Sequence, residues 1–393
     1  MQGALTQPEL LQTIARDVDD GRVAMLRLVS RETRRTVDAV RGARRVRLEV
    51  DWWAAQPGTA AQKTAALAAR LGALAATRPA VGWLELRGAG LDGREAGLAG
   101  LLGAPLTRLD VAQNAIGGVG MFALRRALQQ CPGLIYLDLS GNRLMLDAAG
   151  AVTHVGGQAL GRVLREHRGL RTLLVGRCGL TGEELGDVDT AQDVATGLRA
   201  CTGLTHLDLS GNFARDGMEV LVPTLGGLRA LMELRLEGCR VEDGAALAAA
   251  LLQCAGLRVV DLQGCELRGP AGLLHATWPQ LPALEDLDVG RNSGDDGEVA
   301  ALAEALPRCL RLRRLRLTRN FVGDAATAEL ARALPLCVAL RNLDVRGCQY
   351  EHQAGFGGLQ WVQLYPGALA RLRAAWAAPN AGGVARHAGW LQA

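Results

Sequence analysis

The feature that most restricts this chain is the recurrence of one short pattern, L-x-x-L-x-L-x-x-N/C-x-L, at ten places: Val81, Leu106, Leu134, Leu170, Leu204, Leu231, Leu257, Leu284, Leu312 and Leu340. Successive starts lie 25 to 28 residues apart, except after Leu134 and Leu170, where spacings of 36 and 34 place loop insertions near 145–154 and 183–190. A period of this length describes units that cannot bury an apolar face alone and must stack on their neighbours. Stacking also accounts for the length, because 393 residues exceed what one compact core accommodates.

Each unit opens with a period-two stretch such as LIYLDLSGNRL (134–144), in which Leu137 and Leu139 point inward. A helical stretch follows, as in DGAALAAALLQC (243–254), where Leu247, Leu251 and Leu252 share one face. One strand and one helix per unit specify an α/β fold, a leucine-rich-repeat solenoid. It is expected as a horseshoe, with parallel strands on the concave face and helices on the convex face. The ninth positions are Ala89, Asn114, Asn142, Cys178, Asn212, Cys239, Cys265, Asn292, Asn320 and Cys348. A small side chain able to hydrogen-bond buried backbone is needed there. This alternation of Asn with Cys resembles the ribonuclease-inhibitor class of such repeats, over residues 81–350.

The same template absorbs the cysteines. Four of the nine are ninth positions, and Cys131, Cys201, Cys254, Cys309 and Cys337 each stand three residues before a repeat's first leucine. None has C-x-x-C spacing, so disulfides and zinc sites are not expected, and buried thiols imply a reducing, intracellular setting. The net charge of +4 and the absence of a basic cluster interleaved with aromatics give nucleic-acid binding no support. No apolar run is long enough for a membrane span, and the N-terminus lacks a signal-peptide plan. Lys63 is the only lysine, which fits a GC-rich genome or a ubiquitin-pathway protein that sheds acceptor lysines.

Gly88-Ala89-Gly90-Leu91-Asp92-Gly93 fits the dinucleotide fingerprint G-x-G-x-x-G, with Asp110 about twenty residues on. Ala89 and Asp110 are repeat positions, however, so no cofactor is expected. No P-loop accompanies Lys63, the six histidines lack metal-ligand spacing, and Ser140 and Ser210 belong to repeated SGN turns. The chain is therefore expected to be non-catalytic.

Residues 1–45 carry a capping box at Thr6 and Glu9, a helical stripe of Leu10, Leu11, Ile14 and Val18, and a second stripe of Val23, Leu26 and Val29. Ser30 is placed to cap a third helix containing Arg34 and Val37. One reading is a helical cap on the first repeat. The stretch TQPELLQTIARDVDDGRVAMLRLVSRETRRTV (6–37) also resembles an F-box, through Pro8, Glu9, Leu10, Leu11, Ile14, Val18, Val23, Leu26, Val29, Ser30, Arg31 and Arg34. It departs from that motif at Thr6-Gln7, Ala15 and Thr33.

An F-box before Ala-rich repeats resembles the GALA family of bacterial plant-pathogen effectors. The resemblance implies that Pro8, Leu10, Leu11, Ile14, Leu26 and Val29 bind the Skp-type linker of an SCF ubiquitin ligase while the repeats hold a substrate protein. Such an adaptor works in the host cytoplasm or nucleus. The alternatives are a stand-alone binding or inhibitor module, monomeric outside its complex, and a GTPase-activating protein of the Ran-activator type. The domains expected are 1–45, 46–350 with a degenerate unit at 46–80, and a C-terminal cap at 351–393 containing Trp361, Trp376 and Trp390.

Third and fifth strand positions are expected to line the concave face. The fifth is mostly aspartate, a recurrent feature of LDLSGN strands. Departures from it mark candidate contacts: Trp83, Tyr136, Arg235, Arg314 and Arg316. Arg313, Arg314, Arg316 and Arg319 form a basic group that suits an acidic partner or a solvated face.

Overall fold

Ten short strands follow the ten pattern starts. They are β4 (Val81–Glu85), β5 (Arg108–Asp110), β6 (Tyr136–Asp138), β7 (Thr172–Leu174), β8 (His206–Asp208), β9 (Glu233–Arg235), β10 (Val259–Asp261), β11 (Asp286–Asp288), β12 (Arg314–Arg316) and β13 (Asn342–Asp344). The structure is a computed structural model that describes residues 24–27, 36–40, 43–47, 62, 65–66, 69, 81–92, 102, 106–147, 149–180, 187–267, 275–292, 295–352, 360–363, 366–379 and 391–392. The chain divides into two units, Met1–Gly182 and Glu183–Ala393. The division falls at the second widened repeat spacing, and each unit is described by itself.

In the first unit β4 to β7 pair in parallel, with Trp83, Arg108, Tyr136 and Thr172 side by side. In the second, β8 to β13 do the same. The pattern leucines lie beneath: Leu106, Leu109, Val111 and Ile116 are all fully buried, as are Leu134, Leu137, Leu139 and Leu144 of the next repeat. Behind the strands run α1 (Gly118–Leu128), α2 (Val155–Glu166), α3 (Asp187–Leu198), α4 (Arg215–Leu225), α5 (Gly244–Leu252), α6 (Asp296–Ala305) and α7 (Asp324–Ala333). Helix α1 packs on α2 in the first unit, and α6 packs on α7 in the second. In α5, Leu247 and Leu251 are buried but Leu252 is exposed, so the apolar stripe is narrower than its sequence suggests. Asp243 and Asp295 cap α5 and α6 by accepting from the Ala246 and Glu298 amides at 2.8 Å.

Among the described residues, the ninth residue ties the turn to the one before it in eight repeats. The Asn142 amide group donates to the Val111 carbonyl of the preceding repeat (3.0 Å) and to Leu139 of its own (2.6 Å), while its oxygen accepts from Ile116 N–H (3.1 Å). Asn114 and Asn320 donate to the same preceding position, Leu86 and Val289. Cysteine reaches that carbonyl too: Cys178, Cys239, Cys265 and Cys348 donate from Sγ to Leu139, Leu209, Leu236 and Leu317 at 3.0–3.3 Å. A thiol sulfur accepts a neighbour's amide more weakly than an amide oxygen does. At Cys178 and Cys265 the cysteine's own backbone carbonyl accepts it instead, from Leu144 and Val241.

The eighth residue makes this possible. In all ten repeats it has positive φ, from 55° to 70°, which turns the chain sharply after the strand and aims the ninth side chain inward. Glycine holds six of these positions, but Gln113, Arg177, Arg291 and Arg319 hold the rest at a cost of about 1 kcal/mol each.

Residues ahead of the repeats differ from the sequence reading. Leu26 lies in β1 (Ala24–Arg27) and Val37 in β2 (Thr36–Val40), where second and third helices were expected, and β2 pairs antiparallel with β1 and with β3 (Ala43–Arg47). TVDAV alternates with period two over Thr36–Ala39, and both it and ARRVR contain β-branched valine, which suits a pleated ribbon as well as a helix. The outer strand β3 then pairs in parallel with β4. Pro8, Leu10, Leu11, Ile14 and Val29 lie outside the described residues. At the other end, the last repeat carries the hairpin β14 (Gln349–His352) and β15 (Gln360–Gln363), then α8 (Pro366–Ala377) with Trp376 buried. The closing strand β16 (Leu391–Gln392) pairs with β13.

Two substitutions test this scheme with opposite signs. Asn142→Ala removes the acceptor of the buried Ile116 N–H and one of two side-chain donors at each of the Val111 and Leu139 carbonyls, which keep Asn114 and Cys178, and is expected to cost about 2 kcal/mol in denaturant unfolding. Arg291→Gly, at an exposed left-handed position, is expected to add about 0.5–1 kcal/mol.

Candidate functional site

The strand faces present side chains from the third and fifth positions, and the two positions behave differently. The fifth-position aspartates are part of the turn. Oδ1 of Asp110, Asp138, Asp208, Asp261, Asp288 and Asp344 accepts the amide two residues on, at 2.9–3.1 Å. This is an Asx-turn that closes each strand. The aspartate ladder is therefore architecture.

Third positions carry the variation. In the first unit, Arg108 stands between Trp83 and Tyr136, its guanidinium carbon 5.1 Å and 5.7 Å from the two ring centres. Both distances lie in the cation–π range. Below them Arg87, at the seventh position, bridges Asp110 (3.3 Å) and Asp138 (2.7 Å). Burial, then the nearby Asp138 and Asp110 carboxylates, pushes the Tyr136 hydroxyl up to about 12. It is a hydrogen-bond donor at neutral pH.

In the second unit the arginines are matched by acids of the adjacent strand. Arg314 pairs with Asp286 (2.8 Å), Arg316 with Asp286 (3.1 Å) and Asp288 (3.5 Å), and Arg313 with Glu285 (3.5 Å). Arg235 pairs with Glu233 on its own strand (2.6 Å). The expected basic group is thus largely neutralised. Residues at equal positions of consecutive repeats become neighbours, and here they have opposite charge. Of the sequence-selected residues, Trp83 and Tyr136 are brought together, and Arg314 and Arg316 share Asp286. Arg235 stands apart in β9. Arg87 was missed because the seventh position lies beyond the strand.

The chemistry available is binding chemistry. Burial pushes the Cys254 and Cys348 thiols up to about 11 and Cys309 up to about 12, so each is protonated and unreactive at neutral pH. In the glycine stretch the Gly88 amide donates to the Ala112 carbonyl (2.9 Å) and the Leu91 amide to Asn114 (3.1 Å), so neither is open to a phosphate.

Burial, with help from Asp288 and Glu237, pushes the Asp261 carboxyl up from its usual 3.8 to about 6, against the Gln263 amide and Arg235, which pull it down. The folded state holds this proton more tightly than the unfolded chain. The resulting stability is present below the unfolded value and lost as pH rises through about 6. Asp261→Asn keeps an oxygen for the Gln263 amide. It is expected to raise Tm at pH 7.5 by roughly 2–4 °C, with no gain at pH 4, in calorimetric scans. A loss of Tm at both pH values contradicts this account.

A family model described as Leucine Rich repeat matches residues 104–124, the stretch that holds β5 and the start of α1. Among solved structures, the chain is similar to an internalin of Listeria monocytogenes at 16% identity and TM-score 0.43, covering 74% of this chain and 78% of that one. A leucine-rich-repeat protein of Leptospira interrogans matches at 15% identity and TM-score 0.41, covering 75% and 76%. The functional domain of InlJ from Listeria monocytogenes, which includes a cysteine ladder, matches at 16% identity and TM-score 0.38, covering 65% of this chain and 42% of that one. With its ten-fold register and its parallel strands, this chain has the fold of a leucine-rich-repeat solenoid.

Proposed function

We propose that this chain is a non-catalytic module that holds a protein partner on the strand faces of its repeats. The observation that carries this reading is the third-position row Trp83, Arg108 and Tyr136, two half-buried rings and an exposed arginine in direct register. Aromatic residues and arginine dominate binding hot spots. Residues 46–350 are then the binding part, with Arg235, Arg314 and Arg316 as further contacts. Residues 1–45 and 351–393 serve as caps, the latter supported by buried Trp376 and by β16 on the edge of β13. Nine free cysteines, eight of them buried, support a reducing intracellular setting for a monomeric module.

A finer reading makes residues 1–45 an F-box-like segment that recruits the Skp-type linker of an SCF ligase, in a pathogen effector acting inside a host cell. The residue match over 6–37 supports it. The strand pairing of Ala24–Arg27 with Thr36–Val40 and of Ala43–Arg47 with the first repeat strand supports the plain module with an N-terminal cap.

One experiment set separates these readings. A photo-crosslinking residue at Thr172, beside Tyr136 in register, is expected to capture a protein in the source cell. The same residue at Phe122, on the exposed side of α1, is expected to capture none; the reverse pattern overturns the strand-face reading. Purified full chain mixed with a Skp-type linker is expected to elute separately. Co-elution abolished by Leu10→Ala with Leu11→Ala replaces the plain module by the ligase adaptor.

A further inference from the structure

We propose that Arg108, stacked between Trp83 and Tyr136, is an anchor for an aspartate or glutamate side chain of the protein partner. This rests on the reading that the strand face binds protein, and it specifies the chemistry that one part of that face selects.

The argument begins with the acids that surround Arg108. Asp110 and Asp138 have four carboxylate oxygens, and each has a partner. Their Oδ1 atoms accept the Ala112 and Ser140 amides, and their Oδ2 atoms accept from Arg87. Both side chains are held low in the turn, buried beneath the strand face. Arg87 satisfies the acids that Arg108 would otherwise seek. Among the described residues Arg108 makes no ion pair, whereas Arg235, Arg314 and Arg316 on the second unit's strands each make one. Its recorded contacts are the two ring faces.

Stacking also prepares Arg108 geometrically. A guanidinium between two rings is restrained in its plane while its N–H edge stays available, and that edge fits a carboxylate through two parallel hydrogen bonds. The rings exclude water from both sides, which strengthens an ion pair formed there. Donors on an apolar frame select an acceptor-only group, and among protein side chains that is the carboxylate. The rings favour an apolar residue next to the acid in the partner.

The test is selection of a random-peptide phage library on the full chain, followed by anisotropy titration of the enriched peptides. The expected peptides contain an Asp or Glu beside an apolar residue. Changing that acid to its amide is expected to weaken Kd about tenfold or more, and Arg108→Gln to do the same with little further loss when the two are combined. Arg108→Lys is expected to recover only part of the affinity, because it keeps the charge and loses the planar stack. Arg332→Gln, on helix α7 behind the strands and paired with Glu329, is expected to leave Kd unchanged. Circular dichroism of each variant checks folding; Arg108 is exposed, so its replacement is tolerated. Enriched peptides that bind equally well to Arg108→Gln overturn the anchor and leave the strand-face reading standing. Peptides whose acid can become an amide without loss overturn it as well, and a selection that enriches nothing counts against both.

Discussion

The structure depends on a hydrogen bond that crosses from one turn to the turn before it. Burial of leucine supplies more free energy, about 2 kcal/mol per side chain, and every repeat contributes several. That term is non-directional and tolerates slippage between turns. The bond from the ninth residue to the preceding repeat's sixth carbonyl does not. A turn displaced by one residue takes away that carbonyl's cross-turn donor, at about 0.5–1.5 kcal/mol, and turns its strand residues to the opposite face. The ladder of Asn114, Asn142, Asn292, Asn320 and the four cysteines therefore sets the register in which the leucines are buried.

Register in turn decides which side chains meet on the strand face. Because neighbouring strands pair with equal repeat positions opposite one another, third positions align with third positions and fifth with fifth. A row of alternating charge such as Asp286 and Arg314 neutralises itself, and a row such as Trp83, Arg108 and Tyr136 becomes a stack. The fifth-position aspartates are removed from this choice by the turn, which uses one oxygen of each. Variation at third positions thus changes the surface while leaving the architecture intact. This is the arrangement expected of a scaffold that diversifies its binding face.

Most of the repeat region was legible in the sequence because its constraints are periodic. The leucine positions, the ninth-position ladder and the placement of all nine cysteines follow from one alignment. What stayed hidden had no period or shared one with another structure. The left-handed eighth position is visible where it is glycine, as at Gly141, but not at Arg177 or Arg291, where the turn imposes its conformation on an ordinary residue. The pairing of Arg314 with Asp286 was available from their equal positions in adjacent repeats and was obscured by reading each repeat's charges alone. Arg87 carried no signal within its own repeat, because its partners come from the next two turns. Ahead of the repeats, Val23, Leu26 and Val29 have helical spacing while TVDAV has strand spacing. Short apolar runs of that kind do not separate the two periods.

The cysteine turns show how far the ladder can vary before function is affected. Asparagine both donates and accepts strongly, so it joins two turns through one side chain; cysteine donates and accepts only weakly. At Cys178 and Cys265 the missing acceptor is recovered from the backbone carbonyl of the same residue, which accepts the Leu144 and Val241 amides. The exchange preserves the bond to the preceding turn and moves a second bond from side chain to main chain, with no change in strand offset. Thiols placed this way are structural donors: burial keeps them protonated, and their protons point at carbonyls. A chain built on such thiols keeps one strand geometry while its third positions differ from repeat to repeat.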